Sequence, residues 1–126
     1  MDDEAPLAWG LRRIEELWRA QGAGLVTRRL EGALGCTFQL TELGGETYHL
    51  QLSRESATWG APSGSHVAHA EVKMSRPDWA RVLTGEWSII AVVLAGRAPY
   101  PKHQRRYLMQ LSMVLQTLLL AGGRRS

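Results

Sequence analysis

AEVKMSRPDWARVLTGEWSIIAVVLAG, residues 70–96, is the stretch whose reading decides the fold. Val72 and Met74 alternate with Glu71 and Lys73, so the first residues read as a strand with one apolar face. Ser75 is a helix N-cap candidate, with Pro77 in the first turn and Asp78 three residues after the serine, close to a capping box. Trp79, Val82 and Leu83 follow at i, i+3 and i+4, which puts them on one stripe of a helix. Gly85 is placed to end that helix. Trp87, Ile90, Val93 and Leu94 then recur at helical spacing in a second, apolar helix that stops at Gly96. The converging apolar surface is either plain core or the wall of a binding cavity, and spacing alone does not separate the two.

Working outward, the preceding chain reads as helix and then strands. Pro6 opens a helix in which Leu7, Leu11, Ile14, Leu17 and Trp18 repeat at three- and four-residue spacing as far as about Gln21. Leu25 to Leu30 fit a short second helix ending at Gly32. Cys36, Phe38 and Leu40 share one face of a strand. Gly44-Gly45 is a hairpin signal, and Tyr48, Leu50 and Leu52 alternate along the next strand. Ala57 to Ala61 form a third strand, and a loop at 62–65 leads to the fourth, which ends at Met74. The alternation predicts a sheet with one face covered by helices and a wetter opposite face. Beyond Gly96, Pro99 and Pro101 restrict any last strand to a sheet edge, because neither can donate a hydrogen bond. From His103 the helical period returns. Leu108, Leu111, Leu115, Leu118 and Leu119 make a wide apolar face, joined by Met109 and Met113, and Gly122-Gly123 is expected to end the helix.

The 126 residues suit a single domain over 1–126, with 44% hydrophobic and 21% charged residues as in globular chains. One cysteine, Cys36, excludes an internal disulfide. The acidic start MDDEAP lacks a signal-peptide pattern, and the apolar run at 89–94 is far short of a membrane span. The net charge of +3 conceals an asymmetry: every acid lies at or before Glu86, and the remainder holds Arg97, Lys102, Arg105, Arg106, Arg124 and Arg125. That basic third either decorates a solvated helix face or meets an anionic partner.

Catalytic and metal patterns are missing from the sequence. His66 and His69 lead into a strand, where residues three apart point to opposite faces, and no third ligand lies near them. Cys36 alternates with Phe38 on an apolar face, as a buried inert thiol does. No G-x-S-x-G elbow, P-loop or dinucleotide fingerprint occurs. The adjacent Glu15 and Glu16 diverge on their helix. With no nucleophile–base pair, the expectation is a non-enzyme that needs no cofactor. The informative residues are apolar: Trp9, Trp18, Trp59, Trp79 and Trp87, with Met74, Met109 and Met113 as adaptable neighbours.

The order of elements resembles the sterol-carrier-protein domain, a small lipid-binding fold. The residues that carry the likeness are GCTFQL at 35–40, AEVKMS at 70–75, DWARVLTG at 78–85 with its glycine stop, Gly96, and the leucine-rich segment 108–119. The likeness runs from about Leu25 to Leu120. It implies an α+β fold, with a mixed five-stranded sheet and helices packed on one face around an apolar cavity. It further implies a non-catalytic lipid-binding or transfer protein, holding a fatty acid, a fatty acyl-CoA or a sterol-like ligand in an apolar tunnel. On that reading Trp79, Leu83, Trp87, Ile90, Val93 and Leu94 line one wall, and Met109, Met113 and Leu115 form an adaptable lid. Tyr100-Pro-Lys-His-Gln104 departs from the family pattern after the last strand. Arg-Arg-Ser replaces the family's peroxisomal tail, so the resemblance points to a cytoplasmic, bacterial-type stand-alone domain.

Expected partners are the lipid and a transient anionic membrane contact through Arg97, Lys102, Arg105 and Arg106. Nucleic acid is not expected, because those cations are not interleaved with aromatics. The alternative is a solid-core interaction module, dimerising through its C-terminal helix.

Overall fold

The computed structural model of the chain describes residues 5–22, 31–62, 67–99 and 102–124. Among them are four strands, β1 (Thr37–Glu42), β2 (Thr47–Leu52), β3 (Ala57–Gly60) and β4 (Ala70–Met74). The described residues also include four α-helices, α1 (Pro6–Leu17), α2 (Arg76–Leu83), α3 (Ile89–Leu94) and α4 (Arg105–Arg124). The fold is therefore α+β. The expected helix at 25–30 and His66 lie outside the described residues.

The sheet order is β3-β2-β1-β4. The first three strands form an antiparallel meander, and β4 pairs with β1 in parallel. Register sorts the side chains. Phe38 lies opposite Leu50 and Ala70, and Leu40 opposite Tyr48 and Val72, so these share the core face. Gln39 opposes His49, Thr41 opposes Thr47 and Thr37 opposes Gln51 on the other face. Each of those three pairs is joined by a side-chain hydrogen bond of 3.0–3.1 Å. The core-face residues form one cluster with buried side chains from all four helices, which places the helices on that face.

Local chemistry explains the boundaries. The Ser75 hydroxyl accepts from the Asp78 amide at 3.4 Å, and Ser88 does the same for Ala91 at 3.0 Å. At the end of α2 the Gly85 amide bonds to the Val82 carbonyl and the Glu86 amide to that of Arg81. This is a Schellman ending, and it needs the left-handed φ of +84° that Gly85 adopts without strain. The same pair of bonds ends α3 at Gly96. Three indole N–H groups fasten the layers together: Trp18 donates to the Ser53 carbonyl, Trp59 to the Glu15 carboxylate and Trp79 to the Thr41 carbonyl.

Three expectations change. No fifth strand occurs among the described residues: 96–98 turn, 102–104 form a 3-10 turn, and Tyr100 and Pro101 lie outside the described set. On the outer edge of β4, the Glu71 amide instead donates to the Gln104 side chain at 2.9 Å. Pro99 and Pro101 remove two of the donors that a strand on that edge would use. Trp87 precedes the Ser88 cap, so α3 is shorter than its apolar spacing suggested. Finally, α4 runs through Gly122-Gly123 to Arg124.

Candidate apolar groove

The site is built by two short-range facts about α3 and α4. The sequence of α3, IIAVVL, is apolar all round, so burying one side leaves apolar side chains on the other. Ile89, Val92 and Val93 turn into the core, Ile90 is half-buried and Leu94 is 81% exposed. The inner face of α4 carries Leu108, Leu111, Leu115 and Leu118, all buried, while Met109 and Met113 are 42% and 44% exposed on its outside.

Between the two helices runs an open groove of about 380 Å³, lined by Ile90, Val93, Leu94, Arg105 and Met109. One of its lining residues, Ile90, also ties α3 to α4 by a polar contact. The Ile90 amide, which has no partner within its own helix turn, donates to the buried Ser112 hydroxyl at 3.4 Å. Arg105 is the only charged side chain in the lining.

The nine residues expected at the ligand site therefore separate. Ile90, Val93, Leu94 and Met109 come together in the groove, and Met113 lies one turn further along α4. Trp79, Leu83 and Leu115 are core residues, at most 2% exposed. Trp87 is half-buried beneath the Arg81 guanidinium, which sits 5.2 Å from its ring centroid.

Arg97, one of the cations expected at an anionic membrane, donates through Nε to both carboxylate oxygens of buried Asp78 at 3.1 Å, and Arg81 adds a third bond at 3.2 Å. Arg97 thereby ties the turn after α3 to the first turn of α2. Neither Ser112 nor the Asp78–Arg97 pair was found from the sequence. The serine interrupts a leucine-rich face, which is the one signal that could have marked it. The ion pair joins residues nineteen apart in sequence and has no periodic signature.

Several other polar groups bond locally, while Glu42 Oε1 and Gln110 Oε1 are buried without a hydrogen-bond partner among the described residues. His69 Nδ1 accepts from the Thr37 amide at 3.0 Å, and its ring lies against Tyr107. Among the described residues no group of three or more His, Cys, Asp or Glu side chains could hold a metal ion. Cys36 is buried and donates to the Gly32 carbonyl at 3.2 Å. Burial pushes its thiol up and outweighs the opposing pull of the Arg106 charge, so the group stays protonated. A smaller, polar hollow of about 160 Å³ on α1 is lined by Trp9, Arg12, Arg13 and Glu16. No described helix is long and apolar enough to cross a membrane. No protein-family model matches the chain, and no curated protein matches it significantly.

Proposed function

We propose that the α3–α4 groove holds an acyl chain, and that the protein is a non-catalytic lipid binder for a fatty acid, fatty acyl-CoA or sterol-like ligand. The observation that carries this reading is a 380 Å³ groove with apolar walls and a single cation, Arg105, at its edge. An amphiphile with an anionic head satisfies both features. Each buried methylene contributes about 0.8 kcal/mol, so ten would match a micromolar affinity at best. The likeness to the sterol-carrier-protein domain supports the same ligand class. In the five-stranded form that likeness implies, a strand would pair along β4 beyond Glu71. The groove would be the mouth of the tunnel, deepened by parting α3 from α4 at the Ile90–Ser112 contact.

Titration with a fluorescent fatty acid tests this. Micromolar binding is expected, weakened about tenfold by Leu94→Asp or Met109→Asp, a loss near 1.4 kcal/mol. Both residues are exposed, so the fold tolerates either change. Failure to bind any fatty acid or acyl-CoA at micromolar protein would end the proposal.

The exposed Met113 and Leu120 on α4 support a second reading, a solid-core interaction module that dimerises through that helix. It predicts concentration-dependent dimers in light scattering.

A further inference from the structure

We infer that the outward face of α3 and α4 is a docking surface for an anionic lipid bilayer. This role does not require the groove to hold a ligand. Along α4, Arg105, Met109, Met113 and Leu120 fall at spacings of four, four and seven, and so occupy one stripe. The stripe points away from the buried leucines, and its three apolar members are 42–51% exposed. Leu94 stands beside it across the groove as the most exposed leucine of the described chain. A second apolar face on a helix whose first face already fills the core calls for a partner.

Charge selects which partner. Lys102, Arg105 and Arg106 are all exposed at the start of the stripe, and the first turn of α4 holds no acid. Cations at that end oppose the helix dipole, so they lower helix stability rather than raise it. An anionic surface offsets that cost. A second copy does not, because its own α3 and α4 bring no acid to meet them, none occurring after Glu86. Nucleic acid would be served by the cations but not by the methionines and leucines. An interfacial bilayer zone satisfies both, taking the apolar side chains at the acyl boundary and the cations at the phosphates.

The groove opens on this same face, so docking would present it to the lipid.

Co-sedimentation with vesicles tests the inference, comparing pure phosphatidylcholine with mixtures containing about 30 mol% phosphatidylglycerol. Binding is expected to the anionic vesicles only, and to weaken as salt rises. Lys102→Glu with Arg106→Glu should reduce it by about tenfold or more, since each cation near the surface contributes a several-fold gain. Met113→Glu should reduce it comparably. These three residues lie outside the groove lining, so the loss on vesicles should far exceed any change in fatty-acid affinity in solution. A protein that binds fatty acid but not anionic vesicles would overturn the docking role alone. Vesicle binding unaffected by Met113→Glu would overturn it too, as would a dimer that this variant dissolves, or retention on RNA without retention on vesicles.

Discussion

Trp79→Ala should lower the unfolding free energy by about 3–5 kcal/mol in urea or thermal denaturation. Trp79 is fully buried on α2, and its indole N–H reaches the Thr41 carbonyl at 2.8 Å. It therefore fills core volume and also spans from the helix layer to β1. Removing it leaves a cavity and deprives the Thr41 carbonyl of a donor. Trp79→Phe separates the two contributions. The ring is mostly replaced while the hydrogen bond is lost, so a cost of about 1–3 kcal/mol remains. A domain of this size has roughly 5–15 kcal/mol of stability, so the alanine variant stands near the limit of folding. A Trp79→Phe protein as stable as the parent would show that the bond to Thr41 contributes nothing.

The second large effect is expected at Gly10. It is buried within α1, and a Cβ there would lie 2.6 Å from Leu83 Cδ2 and 2.7 Å from Leu83 Cγ. Leu83 is itself buried and has little room to retreat. Alanine is normally preferred to glycine inside a helix by about 1 kcal/mol. Overpacking costs about 1–3 kcal/mol and runs the other way. Gly10→Ala is therefore expected to be neutral to destabilising despite its better helix propensity. Gly10→Val, with two more methyl groups and a branched Cβ, should be destabilising by several kcal/mol. In a double-mutant cycle, Leu83→Ala should absorb much of the Gly10→Ala penalty. If Gly10→Ala raises stability by its full propensity gain, α1 and α2 do not meet as closely as described.

These two residues also show what the sequence made legible. Ser75 and Gly85 act within one turn of themselves, so their capping roles could be read directly. Strand alternation at 36–40, 48–52 and 71–74 placed the core face correctly, because the period of two leaves no other choice once one face is apolar. Gly10 could not be read, since its role depends on a leucine more than seventy residues away in sequence. The groove was half legible. Ile90, Val93, Leu94 and Met109 were identified by apolar spacing, but so were Trp79, Leu83 and Leu115. On a helix apolar all round, spacing does not say which side faces inward. The strand expected after Gly96 rested on the resemblance more than on periodicity, and the two prolines were the local signal against it. Arg97 was read as a surface cation because nothing in its neighbourhood announces Asp78.

The parallel pairing of β1 with β4 has a consequence in time as well as in space. The β1–β2 hairpin closes over a short turn, whereas β4 reaches β1 only by bringing together residues 32 apart, as between Thr37 and His69. That longer closure must be met before the contact returns any free energy. The meander should accordingly be structured in the folding transition state while β4 is still detached. Val72→Ala, in buried β4, is then expected to speed unfolding far more than it slows refolding, whereas Leu50→Ala in β2 should slow refolding. Chevron plots of the two variants test this order, and a Val72→Ala protein that mainly refolds slowly would reverse it.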